Sequence, residues 1–294
     1  MDEILEVALH ALLESLKVFP FLVLMYCLIE LLEHRASITK NKNILTGNLA
    51  PLLGAATGII PQCGFSVMAA KLYDKRLIRT GTVLAVFFAT SDEALVLLLT
   101  SGVAQKTAMV MPLIAILFAL SIGAGYLFNF LFRKEPLAQL GEEEHISGTP
   151  CGHDHEQERD SAFRRYFLHP FSHALQIFAY ILIVNFVFGL LMHFAQSSIE
   201  SALESGKWLQ PLLCAAVGLI PNCAASTIIT QAFILDGIAF GGFVAGICAN
   251  AGLGFTILFR RKKSVARAFA LLGIMYCVSA AVGYAAMALS AVFA

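Results

Sequence analysis

Apolar residues run along this chain in long stretches, and polar residues gather in short intervals between them. Stretches near the ~20 residues needed to cross hydrocarbon fall at about 10–32, 79–100, 107–132, 171–195, 238–259 and 266–292, and each predicts a membrane helix. Two further stretches, about 48–73 and 208–235, are interrupted by a shared motif. Residues 49–66, LAPLLGAATGIIPQCGFS, return 160 positions later as residues 209–226, LQPLLCAAVGLIPNCAAS, with eleven of 18 positions identical. Pro51/Pro211, Gly58/Gly218, Pro61/Pro221, Cys63/Cys223 and Ser66/Ser226 recur, and Asn222 answers Gln62. Such copying predicts a chain of two halves, residues 1–132 and 170–294, joined by a polar linker over 133–169.

Composition narrows the class. With 58% apolar residues, 14% charged residues and a mean hydropathy of +0.77, the chain has too little polar surface to cover a soluble globule. The expected fold is an all-α polytopic membrane protein whose partner is the lipid bilayer, with no nucleic acid; a homo-oligomer is compatible with it. The N-terminus MDEILEVALHALLESLK opens with acids and lacks a small-residue cleavage site, so the first apolar helix is expected to remain as an anchor. The seven cysteines lie mostly within apolar segments and at no disulfide-framework spacing.

Charge decides the topology. If each copied segment were a single proline-kinked helix, basic loops would fall on both faces. If each is instead a hairpin that turns at its Pro-x-Cys and leaves on the side it entered, 17 of the 20 basic residues share one face. They lie in residues 33–47, 71–79, 133–169 and 260–267; the other face keeps Lys17, Lys106 and Lys207. The positive-inside rule makes the 17-charge face cytoplasmic and puts both termini outside. Three full spans and one hairpin per half invert the second half relative to the first, and the two hairpin tips are expected to meet near the midplane. Arms of ~13 residues reach ~20 Å at 1.5 Å per residue, enough for that depth.

The tips bring chemistry into the membrane. A proline frees a carbonyl and glycines allow close approach, and such irregular backbone survives at depth only where it lines a cavity. Cys63 and Cys223, with Gln62 and Asn222 beside them, are therefore candidate substrate ligands, and Ser66, Ser226 and Thr227 are candidate hydroxyl donors that could equally bond helix to helix. The sequence FFATSDEALVLLL carries Thr90, Ser91, Asp92 and Glu93 in mid-span, where adjacent acids are costly and mark an ion or proton path. The second half has ICANAGLGF at the matching place, offering Asn250 but no acid. Cys63, Asp92, Glu93 and Cys223 make a mixed soft and hard metal set that does not choose between zinc, copper(I), a metalloid or manganese. The linker holds EEEH and CGHDHE, so His145, Cys151, His153 and His155 form a weaker candidate metal tract.

The duplicated GIIPQC and GLIPNC, the intramembrane Asp-Glu and the His/Cys-rich central loop resemble the ten-segment heavy-metal exporter family. That family is related to arsenic permeases and is often labelled as manganese transporters. The resemblance implies a multi-pass efflux permease of the bacterial inner membrane that carries a metal or metalloid ion as substrate. No cofactor is expected, and the position of the intramembrane acid suggests that it would couple transport to protons. Counting each hairpin arm as a segment reconciles the ten segments with three spans per half. No GxxxxGK[ST] phosphate loop occurs, which argues against ATP hydrolysis. Two other classes stay open on the residues alone: an intramembrane thiol oxidoreductase using Cys63 and Cys223, and a passive ion channel.

Overall fold

The computed structural model describes residues 47, 49–60, 62–91, 94–133, 135, 169–204, 206, 208–260 and 265–293, together with scattered positions between 7 and 23. No strand occurs among them, and the described positions of 7–23 are helical. The helices are α1 (Ala50–Gly58), α2 (Gly64–Asp74), α3 (Thr80–Ala89), α4 (Ala94–Thr100), α5 (Ala104–Ala108), α6 (Val110–Leu131), α7 (His169–Glu204), α8 (Gln210–Gly218), α9 (Cys223–Ile234), α10 (Phe240–Ala249), α11 (Gly254–Phe259) and α12 (Val265–Phe293).

Each copied motif interrupts a helix. Pro51 and Pro211 stand in the first turns of α1 and α8, where a missing N–H is tolerated. Past the C-terminal ends at Gly58 and Gly218, the chain turns tightly in the same way twice: the Gln62 N–H donates to Ile60 O and the Asn222 N–H to Ile220 O, both at 2.7 Å. α1 then runs beside α3 in the same direction, since a Cβ on Gly54 would stand 3.1 Å from Thr82 O and one on Gly58 2.6 Å from Val86 O. α2 returns to the end where α1 began. The Tyr73 hydroxyl is 3.1 Å from Thr80 Oγ1 at the start of α3, while Gly125 of α6 meets both Pro51 and Gly81 O. A single kinked helix would have carried Tyr73 to the far end of α3, so α1 and α2 form a hairpin.

The same contacts recur in the second half. Gly218 of α8 seats against Gly246 O of α10, and Gly246 occupies the copy position of Val86. Pro211 and Ala245 pack on Gly283 of α12 as Pro51 and Ala85 pack on Gly125. Both hairpins close with a left-handed residue at matching positions, Arg76 (φ 58°) and Asp236 (φ 61°). There the Leu77 N–H donates to Leu72 O and the Gly237 N–H to Ala232 O, which satisfies carbonyls that the helix end leaves open. The mouths are tied differently: Glu135 accepts from the Thr80 N–H (3.2 Å) and hydroxyl (2.6 Å), whereas Gln210 Oε1 accepts from the Ala239 N–H (2.9 Å).

Among the described residues, four stretches are long and apolar enough to cross a membrane: Thr80–Thr100, Ala104–Leu131, Phe240–Phe259 and Val265–Ser290. The first and third are 81% and 94% buried and form the centre, whereas the second and fourth are 33% and 28% buried and turn Phe130, Leu131, Phe269 and Leu289 outward. α7 carries a shorter apolar stretch, Phe178–Leu191. The halves interlock at the centre, where α2 packs on α11 and α9 on α4.

Two cations clasp the halves together. Lys106, on α5, donates to Phe233 O (2.7 Å) and Asp236 (2.6 Å) at the mouth of the second hairpin and sits 4.0 Å from the Phe233 ring centroid. Arg267, at the start of α12, lies 5.7 Å from the ring centroid of Tyr73, which holds the copy position of Phe233 at the mouth of the first hairpin. Lys106→Met is expected to cost about 1–3 kcal/mol, because it removes a charged donor from Phe233 O, which keeps the Asp236 N–H (3.2 Å), and a cation–π contact. Asp236→Asn should cost less than ~1 kcal/mol, because the Asp236 side chain is 85% exposed. Thermal melting of both variants in detergent separates the two effects; equal losses would contradict this ordering.

Candidate functional site

The site is built from two kinds of helix break. The first kind is the hairpin tip. Cys63 is the N-cap of α2 and Cys223 the first residue of α9, so both thiols stand at helix N-termini. Cys63 is half-buried and Cys223 is buried. Ser66 donates to Cys63 O (2.7 Å), and Ser226 (2.8 Å) and Thr227 (3.1 Å) donate to Cys223 O. These hydroxyls hold the tip carbonyls and keep their own lone pairs to accept.

The second kind lies inside the central spans, and sequence reasoning missed it as a break. α3 ends at Thr90 and α10 at Asn250, both of which turn to extended backbone (ψ 119° and 104°) at matching positions. Asn250 Oδ1 accepts from the Gly252 N–H at 2.9 Å, and Gly252 adopts a left-handed φ of 53°. The polar ATS and Gly-spaced ANAG segments were the available signal. Thr90 donates to Val86 O (2.8 Å), while the fully buried Ser91 Oγ has no hydrogen-bond partner among the described residues.

The first tip meets the break of the other half. A Cβ on Gly254 would lie 3.0 Å from Ser66 O and 2.7 Å from the Phe87 ring, and Phe87 packs on Phe255 at 5.3 Å between centroids. The packing of α9 on α4 repeats the relation for the second tip. The expected amide pair diverges. Asn222 spends its side chain on the scaffold, its Oδ1 accepting from the Ala224 N–H (2.7 Å) and its Nδ2 donating to Asn185 O of α7 (3.2 Å). Gln62 is half-buried, and Cys63 has no side-chain cap bond.

Of the expected metal set, Cys63 and Cys223 are described, while Asp92 and Glu93 lie outside the described residues. So do Pro61 and the linker candidates His145, Cys151, His153 and His155. Among the described residues no three His, Cys, Asp or Glu side chains gather as a metal-holding group. One polar residue was unread in the sequence: Asn185, 1% exposed, in the middle of the apolar stretch of α7.

Helices that cross, helices that turn back and broken central spans define a polytopic membrane protein with an interrupted core. Over residues 4–195 the sequence matches the family described as "Putative, 10TM heavy-metal exporter", and the chain belongs to that family. The match ends before the second Pro-Asn-Cys motif at residues 221–223. No curated protein and no solved structure matches the chain.

Proposed function

We propose that this chain is a secondary transporter that exports a heavy-metal or metalloid ion across the bacterial inner membrane by alternating access. The carrying observation is the crossed seating of Ser66, at the first Pro-Gln-Cys tip, against Gly254 at the break of the opposite half. Discontinuous helices that meet across a repeat interface are how transporters build a site at depth. The substrate is held between the tips by Cys63 and Cys223, with Asp92 and Glu93 supplying negative charge and a proton that leaves as the ion arrives.

The halves are read as inverted copies. In support, the first hairpin's mouth lies beside Arg267, which follows α11, and the second's beside Lys106, which follows α4; these are opposite ends of the central spans. The mouth bearing Arg76, Arg79 and Arg267 is then cytoplasmic, with the linker. The linker tract His145, Cys151, His153 and His155 gathers metal there before export.

The test is a flux screen in proteoliposomes with zinc, manganese, copper(I), arsenite and arsenate, with and without a proton gradient. One species moving against its gradient, and stopping when the proton gradient is dissipated, is expected. Flux of none of them, or flux only down a gradient, would overturn the reading.

A further inference from the structure

Asn185 is a full amide in the middle of an apolar helical stretch, Phe178–Leu191, and is 1% exposed. Its two ends have different fates. Nδ2 donates to Ser15 Oγ at 3.2 Å, bonding α7 to the helical region of the first half, and Ser15 is itself fully buried. Oδ1 is buried and has no hydrogen-bond partner among the described residues. The backbone oxygen of the same residue accepts from Asn222 Nδ2, which ties Asn185 to the second Pro-Asn-Cys tip. A buried amide oxygen without a donor is expensive, and more so where no water can reach it. The Ser15 bond fixes the amide so that the oxygen is held ready rather than free to rotate away.

We propose that Asn185 is a substrate-binding residue, its Oδ1 being a ligand to the transported species beside Cys223. The inference rests on the transport reading above and extends the site to α7, outside the two repeated motifs. A neutral amide oxygen coordinates a metal cation or accepts from a hydroxylated, uncharged metalloid; it offers nothing to a bare oxyanion. Cys223, the residue that follows Asn222 at the tip, would supply the softer contact. Because Asn222 is anchored by the backbone oxygen of Asn185, replacing the side chain leaves the tip's tether in place.

The experiment is equilibrium binding of zinc, manganese and arsenite to the full chain in detergent, followed by flux of whichever probe binds. Asn185→Leu is expected to weaken that probe's binding by about tenfold or more. Asn185→Asp should retain or tighten a metal cation. For arsenite, Asn185→Gln should recover part of the loss. Ser15→Ala, which removes the bond that holds the amide in place, should weaken binding by less than Asn185→Leu does. Thermal melting checks that the variants are folded, and Asn185→Asp and Asn185→Gln carry the test if the leucine variant is not. Binding by a folded Asn185→Leu, or by the Asp and Gln variants where leucine fails, that is indistinguishable from wild type while Cys223→Ser is impaired would overturn the proposal and leave the transport reading standing. A wild-type chain that neither binds nor moves any probe would overturn both.

Discussion

Gly218→Leu is expected to leave no correctly folded protein, and Gly58→Leu nearly none. A Cβ at Gly218 would collide with Gly246 O, with Gly246 C and Cα 3.0 and 3.2 Å away. At Gly58 it would stand 2.6 Å from Val86 O and 2.7 Å from Ala89 Cβ. These neighbours are backbone and a methyl group, with no flexible side-chain end to swing aside. Overpacking a core ordinarily costs about 1–3 kcal/mol, and a clash against a helix backbone that cannot retreat exceeds that range. The hairpin would be lifted from the central span, and the tips would lose their position relative to the breaks. Gly123→Leu and Gly273→Leu are the controls, since nothing lies within 4 Å of a Cβ at either position. Size-exclusion profiles and melting curves in detergent should separate the two pairs cleanly; a monodisperse Gly218→Leu with a wild-type melting point would contradict the packing.

Asp92→Asn is expected to reduce flux by about 10–100-fold, the cost of removing a charged ligand. The argument comes from the second half. There Asn250 and Gly252 complete a break at the matching position with a neutral amide and a left-handed glycine. Geometry alone therefore does not require an acid, and Asp92 aligns with Gly252 itself. Two adjacent carboxyls inside an apolar span are costly, and use by the transported ion or its coupling proton is what would offset that cost. Glu93→Gln, which aligns with the fully buried Leu253, distinguishes the cavity acid from its neighbour. Whichever substitution abolishes proton dependence identifies the coupling group.

The hairpins were legible because proline and glycine act locally and the copying doubled the signal; Pro51, Gly58 and their copies fill the roles their chemistry suggests. The breaks at Thr90 and Asn250 were not, because Thr-Ser-Asp and Asn-Ala-Gly sit inside runs whose hydropathy still reads as one span. The fate of Asn222 was hidden for another reason: an amide beside a cysteine looks like a ligand in sequence, its bond to the Ala224 N–H is a local helix cap that was not read as one, and only the fold puts Asn185 O within its reach. The clasp of Lys106 on Phe233 and Asp236 joins residues far apart in the chain, so neither periodicity nor charge sorting could find it.

The most direct measurement of the central claim, that the two copied tips and the acidic segment form one metal-transport site, is ion flux in proteoliposomes reconstituted with wild type, Cys63→Ser, Cys223→Ser and Asp92→Asn at matched protein density. Wild type should move one metal or metalloid against its gradient, each cysteine variant should lose most of that flux, and Asp92→Asn should lose nearly all of it. Wild-type flux in all three variants would contradict the account.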